Sequence, residues 1–163
     1  GREIIGWDEI LQGGISKSAT IMSWNGQAPG IKAARLGNPV IMTPKWYCYF
    51  DYSQTSDPAR YEPLSNTRYL SVRQVYRLDP LDQLAQPHWQ QILGVQCNLW
   101  TEYIGDIGHA QHMVLPRMAA LSEVGWANDR KEYNDFVRRL HSLRRIYEAE
   151  GYRYAPYLFE SIE

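Results

Sequence analysis

The chain has 163 residues, 44% of them hydrophobic, which is enough for one buried core and makes a single domain the default. Lys and Arg number 17 against 18 Asp and Glu, a formal net charge of -1, so composition offers neither a nucleic-acid footprint nor a polybasic membrane patch. No apolar run approaches the roughly 18 residues of a membrane span; no signal peptide is visible, and the sequence opens at Gly1 on structured-looking sequence from which one could have been removed.

Taken in chain order, the pattern alternates strands with helices. Glu3-Ile4-Ile5-Gly6-Trp7 is a short apolar strand, followed by the turn residues Gln12-Gly13-Gly14. Ala19-Thr20-Ile21-Met22-Ser23-Trp24 is a second strand, and residues 31–36 form a short helix closed by Gly37. Pro39-Val40-Ile41-Met42-Thr43 is a third. Regularity lapses between Pro44 and Pro87, a stretch rich in Tyr, Ser, Asp and Pro with one short helix over 71–76. A connection that long inside a compact domain is usually functional or a lid.

The fourth strand is expected to run through Ile92-Leu93-Gly94-Val95-Gln96-Cys97-Asn98-Leu99-Trp100-Thr101-Glu102-Tyr103 as a buried element. Alternation gives it an apolar face of Val95, Cys97 and Leu99 and a polar face of Gln96, Asn98, Trp100 and Glu102. Two helices follow, 109–126 with a break near Pro116, then 131–150 ended by Gly151. In the second, Tyr133, Phe136, Val137, Leu140, Leu143 and Tyr147 recur at helical spacing, while Arg138, Arg139, Arg144 and Arg145 face outward. Four strands in βα order predict an α/β fold, half of an eight-stranded parallel barrel.

Six Trp and twelve Tyr stand against only three Phe. Such rings carry a polar handle and suit an amphipathic ligand such as a sugar, or a protein interface. Trp100 beside Glu102 pairs an apolar face for a pyranose with an acceptor for its hydroxyls. Cys48 and Cys97 read as buried free thiols. His109 and His112 share a helical spacing compatible with a metal, yet no third ligand is evident nearby. Trp46, Trp89 and Trp126 read as packing residues, and Arg117 and Glu123 as structural contacts.

The ordered set Gly6-Trp7-Asp8-Glu9-Ile10, Met22-Ser23-Trp24, Tyr49-Phe50-Asp51, Asn98-Leu99-Trp100-Thr101-Glu102-Tyr103 and Pro116-Arg117-Met118-Ala119-Ala120-Leu121-Ser122-Glu123 resembles the family-20 glycoside hydrolases, the β-N-acetylhexosaminidases. The resemblance implies that residues 1–163 are the C-terminal half of a (β/α)8 TIM barrel, about strands 5–8 with their helices. It implies an exo-acting enzyme that removes terminal GlcNAc or GalNAc from N-acetylhexosamine-containing glycans with retention, using the substrate's own acetamido oxygen as nucleophile. Trp7, Trp24 and Trp100 would box the acetamido group and sugar ring, Tyr49 would orient the acetamido oxygen, and Asp51 and Glu102 would take hydroxyls around O4 and O6. Neither cofactor nor metal is implied, and the parent protein would be secreted, periplasmic or lysosome-like.

The family's acidic Asp-Glu pair lies in a His-x-Gly-Gly-Asp-Glu context that would precede Gly1. Asp8-Glu9 lacks that approach and is read as a solvated loop or helix start with Asp as cap. The chain would therefore supply sugar-binding residues of the parent enzyme and is expected to be inactive, or nearly so, on its own. The alternative is a non-catalytic carbohydrate-binding or self-associating fragment, since half a barrel leaves open strand edges.

Overall fold

The computed structural model describes residues 1–160. Its centre is a parallel four-stranded sheet of β1 (Ile5–Trp7), β2 (Thr20–Ser23), β3 (Val40–Met42) and β6 (Ile92–Val95), in the order β1-β2-β3-β6. A second, parallel pair joins β4 (Tyr52–Ser53) to β5 (Asn66–Tyr69). The helices are α1 (Ala28–Arg35), α2 (Lys45–Cys48), α3 (Pro58–Tyr61), α4 (Val72–Tyr76), α5 (Ile107–Val114), α6 (Arg117–Ala127), α7 (Tyr133–Ala149) and α8 (Tyr157–Glu160). Short 3-10 turns follow β1, precede β6 and follow α6.

Helix α1 approaches the sheet closely enough that a side chain at Gly30 would meet Met42 Sδ at 2.8 Å and Ser23 Cβ at 2.9 Å. Here glycine permits the contact, and its N–H donates to Ser23 Oγ at 2.8 Å. Ile21, Ile31, Ala33, Ala34, Val40 and Met42 form the core beneath α1. A larger cluster of Phe50, Leu70, Val75, Leu78, Val124, Phe136 and Leu140 joins the β4–α4 segment to α6 and α7. The helix starts follow their local chemistry: Ser71 caps α4, Asp106 caps α5, and the Glu132 side chain accepts from Asn134 N and Asp135 N at the start of α7. The expected break near Pro116 separates α5 from α6, where the Leu115–Pro116 peptide is cis.

Three expectations change. The fourth strand ends at Val95, because β3 stops at Met42 and offers no further ladder; beyond it only a Tyr49–Asn98 bridge remains. Nor is it buried: β6 is an edge strand, with Leu93 63% exposed. The alternation survives without the ladder, since Val95, Cys97 and Leu99 still pack against the larger core. The region between Pro44 and Pro87 holds more structure than one helix, including the β4–β5 pair, whose strands are too short to leave a periodic signal.

Candidate functional site

The C-terminal ends of the parallel strands converge on a cavity of about 920 Å³ lined by Gly6, Trp7, Glu9, Ile10, Trp24, Tyr49, Asp51, Tyr52, Asn66, Trp100, Glu102 and Tyr103. All six residues singled out in the sequence, Trp7, Trp24, Tyr49, Asp51, Trp100 and Glu102, border it. Trp7 ends β1, Trp24 follows β2, and Trp100 lies beyond β6. Strand ends are where parallel barrels place their chemistry.

The rings form a connected wall. Trp24 stacks on Tyr49 with centroids 6.3 Å apart and planes 17° from parallel. Trp100 lies 5.9 Å from both Trp7 and Tyr49 and meets the latter edge-on. Burial raises the Tyr49 hydroxyl to about 12, and the side-chain hydrogen bond from Trp100 pulls the other way. Tyr49 therefore keeps its proton at neutral pH and can donate it in a hydrogen bond.

Tyr49 and Asp51 reach the same cavity from the turn between α2 and β4. The Tyr52 N–H donates to the Tyr49 carbonyl at 3.3 Å, so the backbone turns here and brings the Tyr52 ring in as well. The β4–β5 pairing then sets Asn66 beside Asp51: its N–H donates to the Asp51 carbonyl at 3.1 Å, and its side-chain amide lies 3.4 Å from Asp51 Oδ2. Asp51 Oδ1 is buried and has no hydrogen-bond partner in the protein. Burial raises the Asp51 carboxyl, against the pull of its backbone hydrogen bond, Arg117 and Asn66. A buried acceptor left over in a cavity wall fits a hydroxyl donor from a ligand. Trp100 is 40% exposed and Glu102 is exposed, both at the mouth, contrary to the expectation of a buried segment.

Asp8 also departs from its expected solvated position. It is buried and accepts from Trp24 N at 2.8 Å, Asn25 N at 3.0 Å and the Asn25 side chain at 2.8 Å. Glu9, Asn66 and Tyr52 are cavity residues that sequence reasoning did not assign. Asn66 left no signal, whereas Glu9 was visible as the neighbour of Trp7 and was set aside together with Asp8.

Elsewhere, His112 lies 3.3 Å from the Glu62 carboxylate and edge-on to the Tyr157 ring. His109 belongs to the start of α5, where its N–H donates to Asp106. The two histidines serve different partners. Cys48 and Cys97 are free thiols, the first buried and the second half-buried, and burial raises both. Trp46 packs on Tyr52, and the Trp89 indole donates to the Leu84 carbonyl. Trp126, expected to pack, is 88% exposed, and Glu123, expected to make structural contacts, accepts from the Tyr76 hydroxyl and from Arg139. No helix among the described residues is long and apolar enough to cross a membrane.

A parallel α/β sheet with an aromatic and acidic cavity at its strand ends describes a class of enzyme scaffold, and comparison with known proteins gives the family. The profile of "Glycosyl hydrolase family 20, catalytic domain" matches residues 1–129, and the chain belongs to that family of glycoside hydrolases. A beta-hexosaminidase of Porphyromonas gingivalis is 39% identical over 157 residues, covering 94% of this chain and 20% of that protein. A beta-N-acetylhexosaminidase of Cellulomonas fimi is 28% identical over 160 residues, covering 94% of this chain and 32% of its own length. Among solved structures, the family-20 beta-N-acetylhexosaminidase of Streptomyces coelicolor superposes with a TM-score of 0.83 at 27% identity, over 94% of this chain and 32% of that one. The Vibrio harveyi exo beta-N-acetylglucosaminidase in complex with N-acetylglucosamine gives 0.82 at 28%, over 92% and 24%. The α/β fold is thus similar to the barrel domains of this family, and the chain spans about a fifth to a third of its relatives' lengths.

Proposed function

We propose that this chain forms the sugar-holding side of a β-N-acetylhexosaminidase active site, as the C-terminal half of its TIM barrel. One observation carries the reading: three indoles, a tyrosine and two carboxylates from separate segments of the chain meet on one cavity. Trp7, Trp24 and Trp100 would enclose the acetamido group and ring of a terminal GlcNAc or GalNAc, using the apolar C–H faces of the sugar. Tyr49 would donate its hydroxyl hydrogen to the acetamido carbonyl oxygen and hold that oxygen toward the anomeric carbon. Asp51 Oδ1, which has no protein partner, and Glu102 would accept from hydroxyls around O4 and O6.

In the proposed reaction the acetamido oxygen bonds to the anomeric carbon as the glycosidic C–O bond breaks. Water then opens the oxazolinium, so configuration is retained. The general acid and the Asp that orients the acetamido nitrogen would come from residues outside this chain. Asp8 supports that assignment: its carboxylate is engaged with Trp24 and Asn25 and is turned away from acid work. General acid catalysis contributes roughly 10²–10⁴-fold, and lost substrate orientation costs further, so the chain alone should be inactive or nearly so against an aryl N-acetylglucosaminide. Robust turnover would return Asp8-Glu9 to contention. NMR titration should show N-acetylglucosamine binding at the indole walls and glucose, which lacks the acetamido group, binding more weakly. Equal response to both sugars, or to neither, would sink the proposal.

A second property has its own observation. Both sheet edges are apolar and open, with Ile5 61% and Leu93 63% exposed on β1 and β6. Unpaired parallel edges are templates for further pairing, and the chain alone should self-associate, two copies covering each other's edges. A monomer by light scattering at high concentration would refute this.

A further inference from the structure

The residues after β1 hold the Trp24 wall from two directions. Asp8, 6% exposed, takes the backbone N–H groups of Trp24 and Asn25 and the Asn25 side-chain amide. Glu9, exposed at the cavity lip, accepts the Trp24 indole N–H on both carboxylate oxygens, at 3.0 and 3.1 Å. The other side of the indole is closed by Tyr49 in a near-parallel stack and by Lys45 Nζ, 4.9 Å from the ring centroid. The backbone beyond is pinned too, since Ser23 Oγ donates to the Gly26 carbonyl at 2.7 Å and Lys45 N donates to the Trp24 carbonyl at 3.0 Å.

From this geometry we propose that Glu9 is a positioning residue that fixes the rotation of the Trp24 indole against the sugar, while Asp8 fixes its backbone. The proposal rests on the sugar-binding reading of the cavity. Its logic is rotational. Backbone anchoring and stacking leave an indole free to slide or flip in its plane. A charge-assisted hydrogen bond at one edge removes that freedom. The wall is then preorganised before the ligand arrives, so its ordering cost does not fall on binding. Glu9 needs no contact with the sugar for this role.

Because Glu9 is exposed, Glu9→Ala should fold as the wild type does, and Glu9→Gln keeps an acceptor oxygen for the indole. The experiment is an NMR comparison of this chain with the two variants, the Trp24 indole signal being assigned by its loss in Trp24→Phe. Without sugar, E9A should move the Trp24 indole N–H proton upfield and leave the other indoles in place, and E9Q should restore most of the shift. On titration with N-acetylglucosamine, E9A should bind about tenfold more weakly, the equivalent of one hydrogen bond of ~1.4 kcal/mol, with E9Q recovering most of it. In the W24F background, which keeps a ring but has no indole N–H, E9A should have no further effect on affinity.

An unmoved Trp24 indole signal in E9A overturns the proposal whether or not sugar binds. An E9A loss that persists undiminished in W24F also overturns it, because Glu9 would then act on the ligand directly. Absence of any wild-type response to the sugar defeats the sugar reading instead, and the sugar-free indole shift still decides whether Glu9 holds the ring.

Discussion

Two buried polar groups meet at the turn between α2 and β4 and differ in one respect. The Arg117 guanidinium is fully buried and donates to the carbonyls of Phe50, Tyr52, Leu70 and Met113, with its Cζ 4.8 Å from the centroid of the Phe50 ring. Burial pulls its pKa down, and Glu62 and Asp51 pull it back. Its donors are spent on the protein. The Asp51 carboxylate, on the same turn, keeps one oxygen buried and unpartnered at the cavity wall. A satisfied buried polar group stitches segments together; one left over in a cavity wall has an acceptor to offer a donor. The first centre is closed within the protein; the second leaves an acceptor on the cavity wall.

The sharpest way to break this contrast is to remove Arg117. Arg117→Met keeps most of the volume but strands several carbonyls at roughly 1–3 kcal/mol each, so a loss of about 4 kcal/mol or more is expected. Urea unfolding of the variant checks it. A midpoint close to wild type would mean that the β4 turn does not depend on α6 for its shape.

Asp51→Asn should do the reverse. A carboxyl raised by folding binds protons more readily in the native state, so its contribution to stability declines as pH climbs from the usual carboxylate range into the raised one. Near neutral pH the amide should therefore leave the melting temperature unchanged or higher. Affinity for N-acetylglucosamine should fall by about tenfold or more, since a charged acceptor is lost. Calorimetry and a thermal melt on one sample separate the two readouts, and a parallel fall in both would place Asp51 with Arg117 as structure.

The two centres were unequally legible. Trp100 and Glu102 stand out in the sequence because an indole and a carboxylate share one face of an apolar run, whereas Tyr49 and Asp51 are reached only through the family resemblance. Trp100 and Glu102 differ from expectation in their exposure, since the ladder ends at Val95 and alternation carries no buried strand past it. Arg117, expected to make structural contacts, makes them with four backbone carbonyls, though its complete burial is not part of that expectation. Its helical neighbours Met113, Ala120 and Leu121 are all apolar, which places it on the core face and could have exposed its burial. The parallel rhythm of β1, β2 and β3 was plain from short apolar runs bounded by turns. The β4–β5 pair was not, because two- and four-residue strands depend on tertiary partners rather than on their own pattern.

Tyrosines extend the same accounting to alkaline pH. Burial raises Tyr49 and Tyr147 to about 12, and Tyr76 and Tyr157 further still. An unfolded tyrosine ionises near pH 10, so above that value the unfolded chain sheds protons that the native one retains. Stability should be intact below about pH 10 and fall as pH rises toward 12. Tyr147 is raised by burial alone, so Tyr147→Phe should flatten part of the fall and leave neutral-pH stability nearly unchanged. Denaturation midpoints across that range, followed with tyrosinate absorbance, supply the check.

The smallest expected effect lies where an apolar group is left over instead of a polar one. Trp126 projects from α6 at 88% exposure, beside a groove that also takes in Leu93 and Met118 next to the β6 edge. Exposed this far, the indole contributes little to the fold, and Trp126→Ser should change stability by no more than ~0.5 kcal/mol. If the proposed self-association covers the β6 edge, the same change should lower the apparent mass of the chain at a given concentration, because a large apolar ring is lost from the covered surface. Ultracentrifugation with a melt alongside gives both numbers. A stability loss near that of a core residue would show that Trp126 packs against something in solution, whereas an unaltered mass would move the contact to the β1 edge, where Ile4 and Ile5 offer the matching apolar strip.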